Sequence, residues 1–207
     1  MSNFDGIYVK GIKRVFDFAG SLVLLIISAP AHLACAALIK IDDRGPVYFH
    51  QERIGLHGRP FTLHKLRTMT VGTHEKSGGY PSASMVTAIG KTLRRFSLDE
   101  VPQLWNILRG DMSFVGPRPA LPDQVNRYSD TQRKRLLVRP GLTGAAQVKY
   151  RNEAPWSVRI KEDNRYVDSV SLIEDVKILL KTIPSALAGE GQSVGQTADQ
   201  VDDLGAL

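Results

Sequence analysis

An apolar segment near the N-terminus constrains the fold of this chain more than any other feature. Residues 18–39 contain no lysine, arginine, aspartate or glutamate. Because about 20 consecutive apolar residues are enough to cross a bilayer as a helix, residues 13–41 predict one long apolar helix. Pro30 lies near its centre and predicts a kink or a break, since proline lacks an N–H group and clashes with the carbonyl four residues earlier.

Basic residues flank this segment on both sides, at Lys10, Lys13, Arg14, Lys40 and Arg44. A spanning helix usually has an asymmetric distribution of basic residues, so we interpret the segment as a re-entrant helix-break-helix that returns to the same face. Ser28 is placed to hydrogen-bond a backbone carbonyl and reinforce the bend at Pro30. A spanning helix with a proline kink and a buried core helix of a soluble protein remain open alternatives.

The charge of the chain restricts its partners. The 207 residues include 27 Lys and Arg against 21 Asp and Glu, a net charge of +6, which favours anionic partners. We expect no nucleic-acid partner, because no nucleic-acid-binding motif is recognisable and few aromatic residues lie among the basic ones. The single cysteine, Cys35, excludes an internal disulfide. The oligomeric state stays open, and a homo-oligomer is compatible with the sequence.

The rest of the chain predicts an α+β fold that is mostly helical. Residues 47–53 and 61–69 are rich in aromatic and β-branched side chains and predict a small β-hairpin, with Gly55, Gly58 and Pro60 in its loop. Helices are predicted over residues 87–96, 123–138, 156–167 and 171–187, the last two amphipathic. Residues 71–84 and 139–144 predict loops.

Two adjacent carboxylates, Asp99 and Glu100, begin the segment that is most informative about chemistry. Ser97 and Glu100 fit a capping box, whereas Pro102 favours a helix that begins near Val101. Either start places both carboxylates at a helix N-terminus, where positive potential keeps them ionised and attracts phosphate. A purely structural capping role would use the same two carboxylates. The neighbouring residues therefore have to distinguish a structural role from a catalytic one.

Several basic residues lie where a rigid backbone can aim them at an anion. Arg118 lies between two prolines in Gly116-Pro117-Arg118-Pro119, which implies a fixed geometry for a guanidinium fork that matches phosphate. The other candidate phosphate-binding residues are Lys65, Arg67, Arg94, Arg139 and Arg151. For the two hairpin residues, a solvated basic face is the alternative interpretation.

No other catalytic pattern competes with the carboxylate pair. The sequence has no Gly-x-Ser-x-Gly motif, no Walker loop and no His-x-x-x-His pair, and its five histidines are scattered. Carboxylates beside a phosphate substrate indicate Mg²⁺, which prefers oxygen ligands and often shares substrate phosphates. The residues thus predict phosphoryl transfer, with Asp99 and Glu100 as the catalytic and metal-binding pair.

Taken together, these motifs resemble the monotopic phosphoglycosyl transferases, the bacterial sugar transferases of lipid-linked glycan pathways. The resemblance runs in one colinear order from residue 12 to about residue 184, through segments 13–17, 49–55, 65–69, 93–106, 111–119 and 138–144. Its most specific block extends from Asp99-Glu100 to Gly116-Pro117-Arg118-Pro119. The chain departs from the family at the helix break, where the common Ser-Pro pair is replaced by Ala29-Pro30 with the serine at Ser28.

The resemblance implies transfer of a sugar-1-phosphate from a UDP-sugar to polyprenol phosphate, with release of UMP. By carry-over, Asp99 is the nucleophile that forms a covalent phospho-sugar intermediate, Glu100 helps to hold Mg²⁺, and Arg118 binds phosphate. Arg94 matches another basic position near the pair.

The family also implies an architecture and a location. Residues 1–45 would form the re-entrant membrane helix, residues 46–188 a cytoplasmic catalytic domain, and residues 189–207 a C-terminal tail. Amphipathic helices would lie on the membrane, and a small β element would lie beside the active site. The expected location is the bacterial inner membrane, with the catalytic domain on the cytoplasmic face.

Two other functions use the same residues. A membrane-bound phosphohydrolase would use the same aspartate, with water in place of the lipid acceptor. A non-enzymatic scaffold that binds anionic lipid would need the basic residues but not Asp99. The sequence does not identify the donor sugar, and a hexose, an N-acetylated amino sugar or a bacillosamine-like sugar all remain open.

Overall fold

The computed structural model describes residues 6–73, 85–150, 154–187 and 203–204. These residues form a mostly helical α+β fold with two small sheets, which confirms the predicted fold class. The α-helices of the described residues are α1 (Lys13–Asp43), α2 (Ala88–Arg95), α3 (Gln103–Arg109), α4 (Pro122–Asn126), α5 (Asp130–Arg133), α6 (Ala145–Tyr150), α7 (Trp156–Ser169) and α8 (Leu172–Leu187). The strands are β1 (Tyr48–Ile54), β2 (Pro60–Leu66), β3 (Ser113–Val115) and β4 (Gly141–Thr143).

Helix α1 continues through Pro30, so the predicted helix-break-helix is not confirmed. The Ser28 hydroxyl lies 3.5 Å from the Leu25 carbonyl oxygen, which is long for a hydrogen bond. The segment Tyr8–Asp42 is long and apolar enough to cross a membrane, and only 11% of its most apolar window is buried inside the protein. That exposure does not fit the buried core helix of a soluble protein.

Both halves of α1 pack against the rest of the chain. Before Pro30, the Arg14 guanidinium donates to the carbonyl oxygens of Ile107 (2.6 Å) and Leu108 (2.7 Å) at the end of α3. After Pro30, Cys35 and Ile39 are buried in a cluster with residues of β2 and α2. One face of the helix therefore follows the folded domain, while large apolar side chains on other faces are exposed.

The hairpin is formed as predicted, with β1 and β2 antiparallel and Phe49 opposite Lys65. A second sheet was not predicted: β3 and β4 pair in parallel, and β4 lies within the segment interpreted as a loop. Gly116 and Gly141 make this pairing possible, because an added Cβ on Gly141 would lie only 2.1 Å from the Gly116 nitrogen.

The prediction of one continuous helix over residues 123–138 is wrong. The chain instead forms α4, α5 and a 3-10 turn, Lys134–Leu137. Ser129 causes the interruption, because its hydroxyl accepts a hydrogen bond from the Gln132 backbone N–H while the Gln132 side chain accepts one from the Ser129 N–H. A new helix therefore begins in the middle of the predicted one.

The two predicted C-terminal amphipathic helices are present as α7 and α8. Helix α8 exposes a row of large apolar residues, Leu172, Ile173, Val176, Leu180 and Ile183. Its other side enters the core through Ile178, which packs with Val167 and Val170. Nearly all of the predicted tail lies outside the described residues, as does most of the predicted loop over residues 71–84.

Candidate active site

The carboxylate pair lies in a single 3-10 turn, Leu98–Glu100, immediately before α3. Ser97 enters this turn with φ 55°, a left-handed conformation that is costly for a residue other than glycine. Its side chain caps nothing, so the predicted capping box is wrong. The alternative start is closer to the structure, since Pro102 immediately precedes the first residue of α3.

Glu100 is held by two cations that reach it from different elements. Lys65, at the end of β2, donates to Glu100 Oε1 over 2.6 Å, and Arg118 Nη2 lies 3.6 Å from the same oxygen. Lys65 Nζ is also 3.9 Å from Asp99 Oδ2, too far for a hydrogen bond. The arrangement leaves Asp99 buried, at the limit of ion-pair distance from Lys65 and without a hydrogen bond to it.

These surroundings move the pKa values of the two carboxyls in opposite directions. Burial acts to raise the pKa of Glu100, but Lys65 and Arg118 outweigh it and bring the pKa down to about 2. For Asp99, burial is the largest effect and raises the pKa above its ordinary value; Lys65 opposes it and Glu100 adds to it. Glu100 is therefore firmly anionic, while Asp99 is a poorly solvated carboxylate near an excess of positive charge.

Arg94 reaches the pair from α2, and Thr68 orients it. The Arg94 Nε–H donates to the Thr68 hydroxyl over 2.7 Å, and Asp99 and Glu100 both lie close enough to affect the Arg94 charge. Gly90 allows this approach, because a Cβ there would lie 2.1 Å from the Thr68 carbonyl oxygen. The close contact between α2 and the end of the hairpin sets the position of Arg94.

We expect Gly90→Ala to damage the site through this contact. The added methyl collides with backbone, so α2 must move, and overpacking of this kind costs about 1–3 kcal/mol. Thermal unfolding should occur at a lower Tm, and any Arg94-dependent activity should fall. Gly11→Ala is the control, since nothing lies within 4 Å of its added Cβ. Equal Tm values for the two variants would contradict the inferred packing role of Gly90.

The segment 116–119 is fixed from behind by two other arginines. Arg135 donates to the Arg118 carbonyl oxygen over 2.8 Å, and Arg53 donates to the Pro119 carbonyl oxygen over 2.9 Å. The last residue of β1 also contacts the residue that follows this segment, since the Ile54 N–H donates to the Ala120 carbonyl oxygen. The backbone that carries Arg118 is thereby aimed at Glu100.

Sequence reasoning did not single out Arg53 or Arg135 as site residues. Arg53 lies in the predicted hairpin, but its contact with Pro119 joins residues 66 positions apart in sequence. The sequence did contain one signal for Arg53: it is a basic residue at the end of a predicted β-strand, two residues before Gly55, where the chain turns. That signal does not tell which distant segment the arginine meets.

Two of the predicted phosphate-binding residues, Arg67 and Arg139, are not brought to the pair. Arg67 donates to the carbonyl oxygens of Pro46 (2.5 Å) and Met69 (3.0 Å) and closes the base of the hairpin. Arg139 donates to the Gly110 carbonyl oxygen over 2.8 Å, on the α1 side of the domain. Arg151 lies outside the described residues. The residues assembled around the pair are Lys65, Arg94 and Arg118.

The donor set fits Mg²⁺ that shares its ligands with a substrate. Among the described residues there is no group of three or more His, Cys, Asp or Glu side chains that could hold a metal ion. Asp99 and Glu100 therefore supply two carboxylates at most. Mg²⁺ is commonly bound by one or two carboxylates together with substrate phosphates, and the cations around the pair suit those phosphates.

Comparison with known proteins assigns the chain to a family. The bacterial sugar transferase family model matches residues 8–189, so this chain is a member of the bacterial sugar transferase family. The uncharacterized sugar transferase EpsL of Bacillus subtilis is 42% identical over 180 residues, which cover 87% of this chain and 89% of that protein.

Two relatives are named for specific reactions. The UDP-glucose:undecaprenyl-phosphate glucose-1-phosphate transferase of Caulobacter vibrioides is 42% identical over 189 residues, covering 84% of this chain and 69% of the relative. The undecaprenyl-phosphate galactose phosphotransferase of Salmonella typhimurium is 36% identical over 198 residues, covering 87% of this chain but only 41% of that protein.

Proposed function

We propose that this chain is a UDP-sugar:polyprenol-phosphate sugar-1-phosphate transferase that produces polyprenyl-diphospho-sugar and UMP. The carrying observation is the difference between Asp99 and Glu100: Lys65 hydrogen-bonds Glu100 over 2.6 Å, whereas the buried Asp99 lies 3.9 Å from Lys65, at the limit of ion-pair distance. Membership of the family and the reactions for which its relatives are named support the substrate classes. The proposed pathway step is the first membrane-bound one in assembling a bacterial glycoconjugate or exopolysaccharide.

The proposed reaction has two steps at one site. First, Asp99 attacks the β-phosphorus of the UDP-sugar; a bond forms between its carboxylate oxygen and phosphorus, and the bond from phosphorus to the bridging oxygen breaks to release UMP. Second, an oxygen of polyprenol phosphate attacks the same phosphorus, and Asp99 leaves as a carboxylate. This sequence lets a soluble nucleotide and a lipid use the site in turn.

Each neighbouring residue has a part in this scheme. Lys65 holds Glu100 in its anionic form, and the Arg94 and Arg118 guanidinium groups are near enough to neutralise phosphoryl oxygens during the displacement. Mg²⁺, when bound through the pair and the diphosphate, would supply further neutralisation of phosphate charge. Burial of Asp99 limits its hydration, which keeps the carboxylate reactive toward an electrophile.

We further propose that the protein is monotopic, at the cytoplasmic face of the inner membrane. Both halves of α1 contact the same domain, which favours a helix that stays at one face of the membrane over one that crosses to the other side. The exposed apolar rows of α1 and α8 supply the surface for the lipid interface. The domain division at residues 45 and 188 and a homo-oligomeric state stay predictions.

The acid limb of the pH–rate profile should report Asp99. Its pKa is raised and only the ionised form can attack, so kcat/KM should fall as the pH drops toward a midpoint above the ordinary aspartate value of 3.8. Glu100, with a pKa of about 2, should stay ionised across the same interval. Kinetics with the wild-type protein check this, and a limb centred at or below 3.8 would contradict it.

The function is tested by UMP release from a panel of UDP-sugars, because the relatives are named for different sugars. We expect release that depends on polyprenol phosphate and occurs with one sugar or a narrow set. Multiple turnovers without the acceptor would favour the phosphohydrolase. Absence of UMP with every sugar, with and without acceptor, would contradict the proposed transfer.

A further inference from the structure

The two arginines behind the segment 116–119 differ in how their charge is balanced. Arg135 is fully buried, and its guanidinium donates to the Asp163 carboxylate over 2.7 Å. That ion pair neutralises it, and it also donates to the Tyr128 hydroxyl. The Arg135 Nε–H has no hydrogen-bond partner, but the Asp163 carboxylate neutralises the charge within the protein, so Arg135 has a structural role.

Among the described residues, Arg53 has no carboxylate partner comparable to Asp163. The Arg53 guanidinium donates to two neutral acceptors, the Pro119 carbonyl oxygen and, at 2.6 Å, the Gln51 side-chain oxygen. Among the described residues, no carboxylate lies within ion-pair distance of it, and its buried Nε–H has no hydrogen-bond partner. A poorly solvated guanidinium without a counter-ion is unfavourable unless an anion binds it.

The positive charge of Arg118 makes the uncompensated charge of Arg53 still less favourable. Burial and the Arg118 charge lower the pKa of Arg53 to about 9, and Glu100 opposes that shift only in part. Glu100 is already engaged by Lys65 and Arg118. The four cations Arg53, Lys65, Arg94 and Arg118 surround two carboxylates, which leaves an excess of two positive charges that an anionic ligand would offset.

We propose that Arg53 forms, with Arg118, a second phosphate-binding subsite that holds the phosphate not attacked by Asp99. The inference depends on the proposed function for the identity of the ligand. Its phosphate is either the α-phosphate of the nucleotide or the phosphate of the lipid acceptor, which share one chemistry. The guanidinium charge of Arg53 would then be balanced by ligand oxygens.

The test compares Arg53→Gln and Arg53→Lys in the full-length protein in lipid nanodiscs. Glutamine keeps a donor for the Pro119 carbonyl but removes the charge, whereas lysine keeps the charge. Arg59→Gln removes an exposed arginine of the same hairpin and serves as the control. Dissociation constants for UDP and UMP are measured by isothermal titration, and KM for polyprenol phosphate by UMP release.

If the subsite holds the nucleotide, Arg53→Gln should weaken UDP and UMP binding about 10- to 100-fold, with partial recovery in Arg53→Lys. If it holds the acceptor, nucleotide binding should be unchanged and KM for polyprenol phosphate should rise by a similar factor. Either result supports a second phosphate subsite. Affinities and KM values equal to those of Arg59→Gln would overturn it and leave Arg53 as a clamp on Pro119.

Failure of this inference can be separated from failure of the proposed function. Nucleotide binding requires no turnover, so a wild-type protein that binds UDP but releases no UMP would refute the transferase while the Arg53 comparison still stands. A wild-type protein that transfers sugar phosphate normally, with Arg53→Gln matching it in every constant, would refute the subsite alone. A wild-type protein that binds neither UDP nor UMP and does not turn over would overturn both.

Discussion

Asp99→Asn should abolish acceptor-dependent UMP release, with a loss of at least about 1,000-fold. An amide of the same shape cannot form the bond to phosphorus, and no other carboxylate takes its place, because Glu100 is engaged by Lys65 and Arg118. The measurement is UMP release under saturating UDP-sugar and acceptor. Asp123→Asn, at an exposed aspartate at the start of α4, should retain wild-type activity.

The same substitution should raise stability. Because burial raises the pKa of Asp99 in the folded protein, its ionised form is disfavoured by folding, and the associated stability is lost as the pH rises through that pKa. Removing the charge should therefore increase the Tm at neutral pH. An inactive Asp99→Asn protein with a lowered Tm would indicate misfolding and would contradict this account of the site.

Lys65→Met should have the second-largest effect, on both activity and stability. Lys65 makes the 2.6 Å contact with Glu100, and removing one partner of a buried ion pair costs about 3–5 kcal/mol because the other charge stays buried. For a domain of this size, that corresponds to a fall in Tm of roughly 10 °C. Activity should fall with it, since Glu100 would lose its fixed anionic state.

The pH dependence of this loss provides an internal check. Glu100 has a folded pKa of about 2 against an ordinary 4.5, so its stabilising contribution is present above pH 4.5 and is lost as the pH falls toward 2. The Tm difference between wild type and Lys65→Met should therefore shrink in acid. Lys91→Met, at an exposed lysine of α2, should change neither Tm nor activity. A pH-independent difference would rule out the Glu100 pair as the cause.

The parts of the fold that were predictable have strong local signals. The hairpin follows from alternating aromatic and β-branched residues, and α7 and α8 follow from their helical periodicity. The parallel pair of β3 and β4 could not be predicted, because each strand has three residues and the pairing depends on glycines at 116 and 141 that let two backbones meet. The interruption at Ser129 was missed because a long run of polar residues conceals a capping box.

The site divides in the same way. Asp99, Glu100 and Arg118 lie in compact motifs, and their sequence context was enough to group them. Lys65 and Arg94 were found as basic residues, but the contacts that bring them to the pair come from tertiary packing of β2 and α2. Spacing alone could not distinguish them from Arg67 and Arg139, whose guanidinium groups bind backbone carbonyls elsewhere.

The most direct test of the central claim, that Asp99 is the nucleophile, is to incubate the protein with the UDP-sugar in the absence of polyprenol phosphate. Mass spectrometry of the intact chain and of its peptides then follows. The account predicts one equivalent of UMP per active site and a sugar-phosphate adduct on the peptide that contains Asp99, lost when the acceptor is added and absent in Asp99→Asn. Release of UMP only in the presence of acceptor, with an unmodified chain throughout, would contradict it.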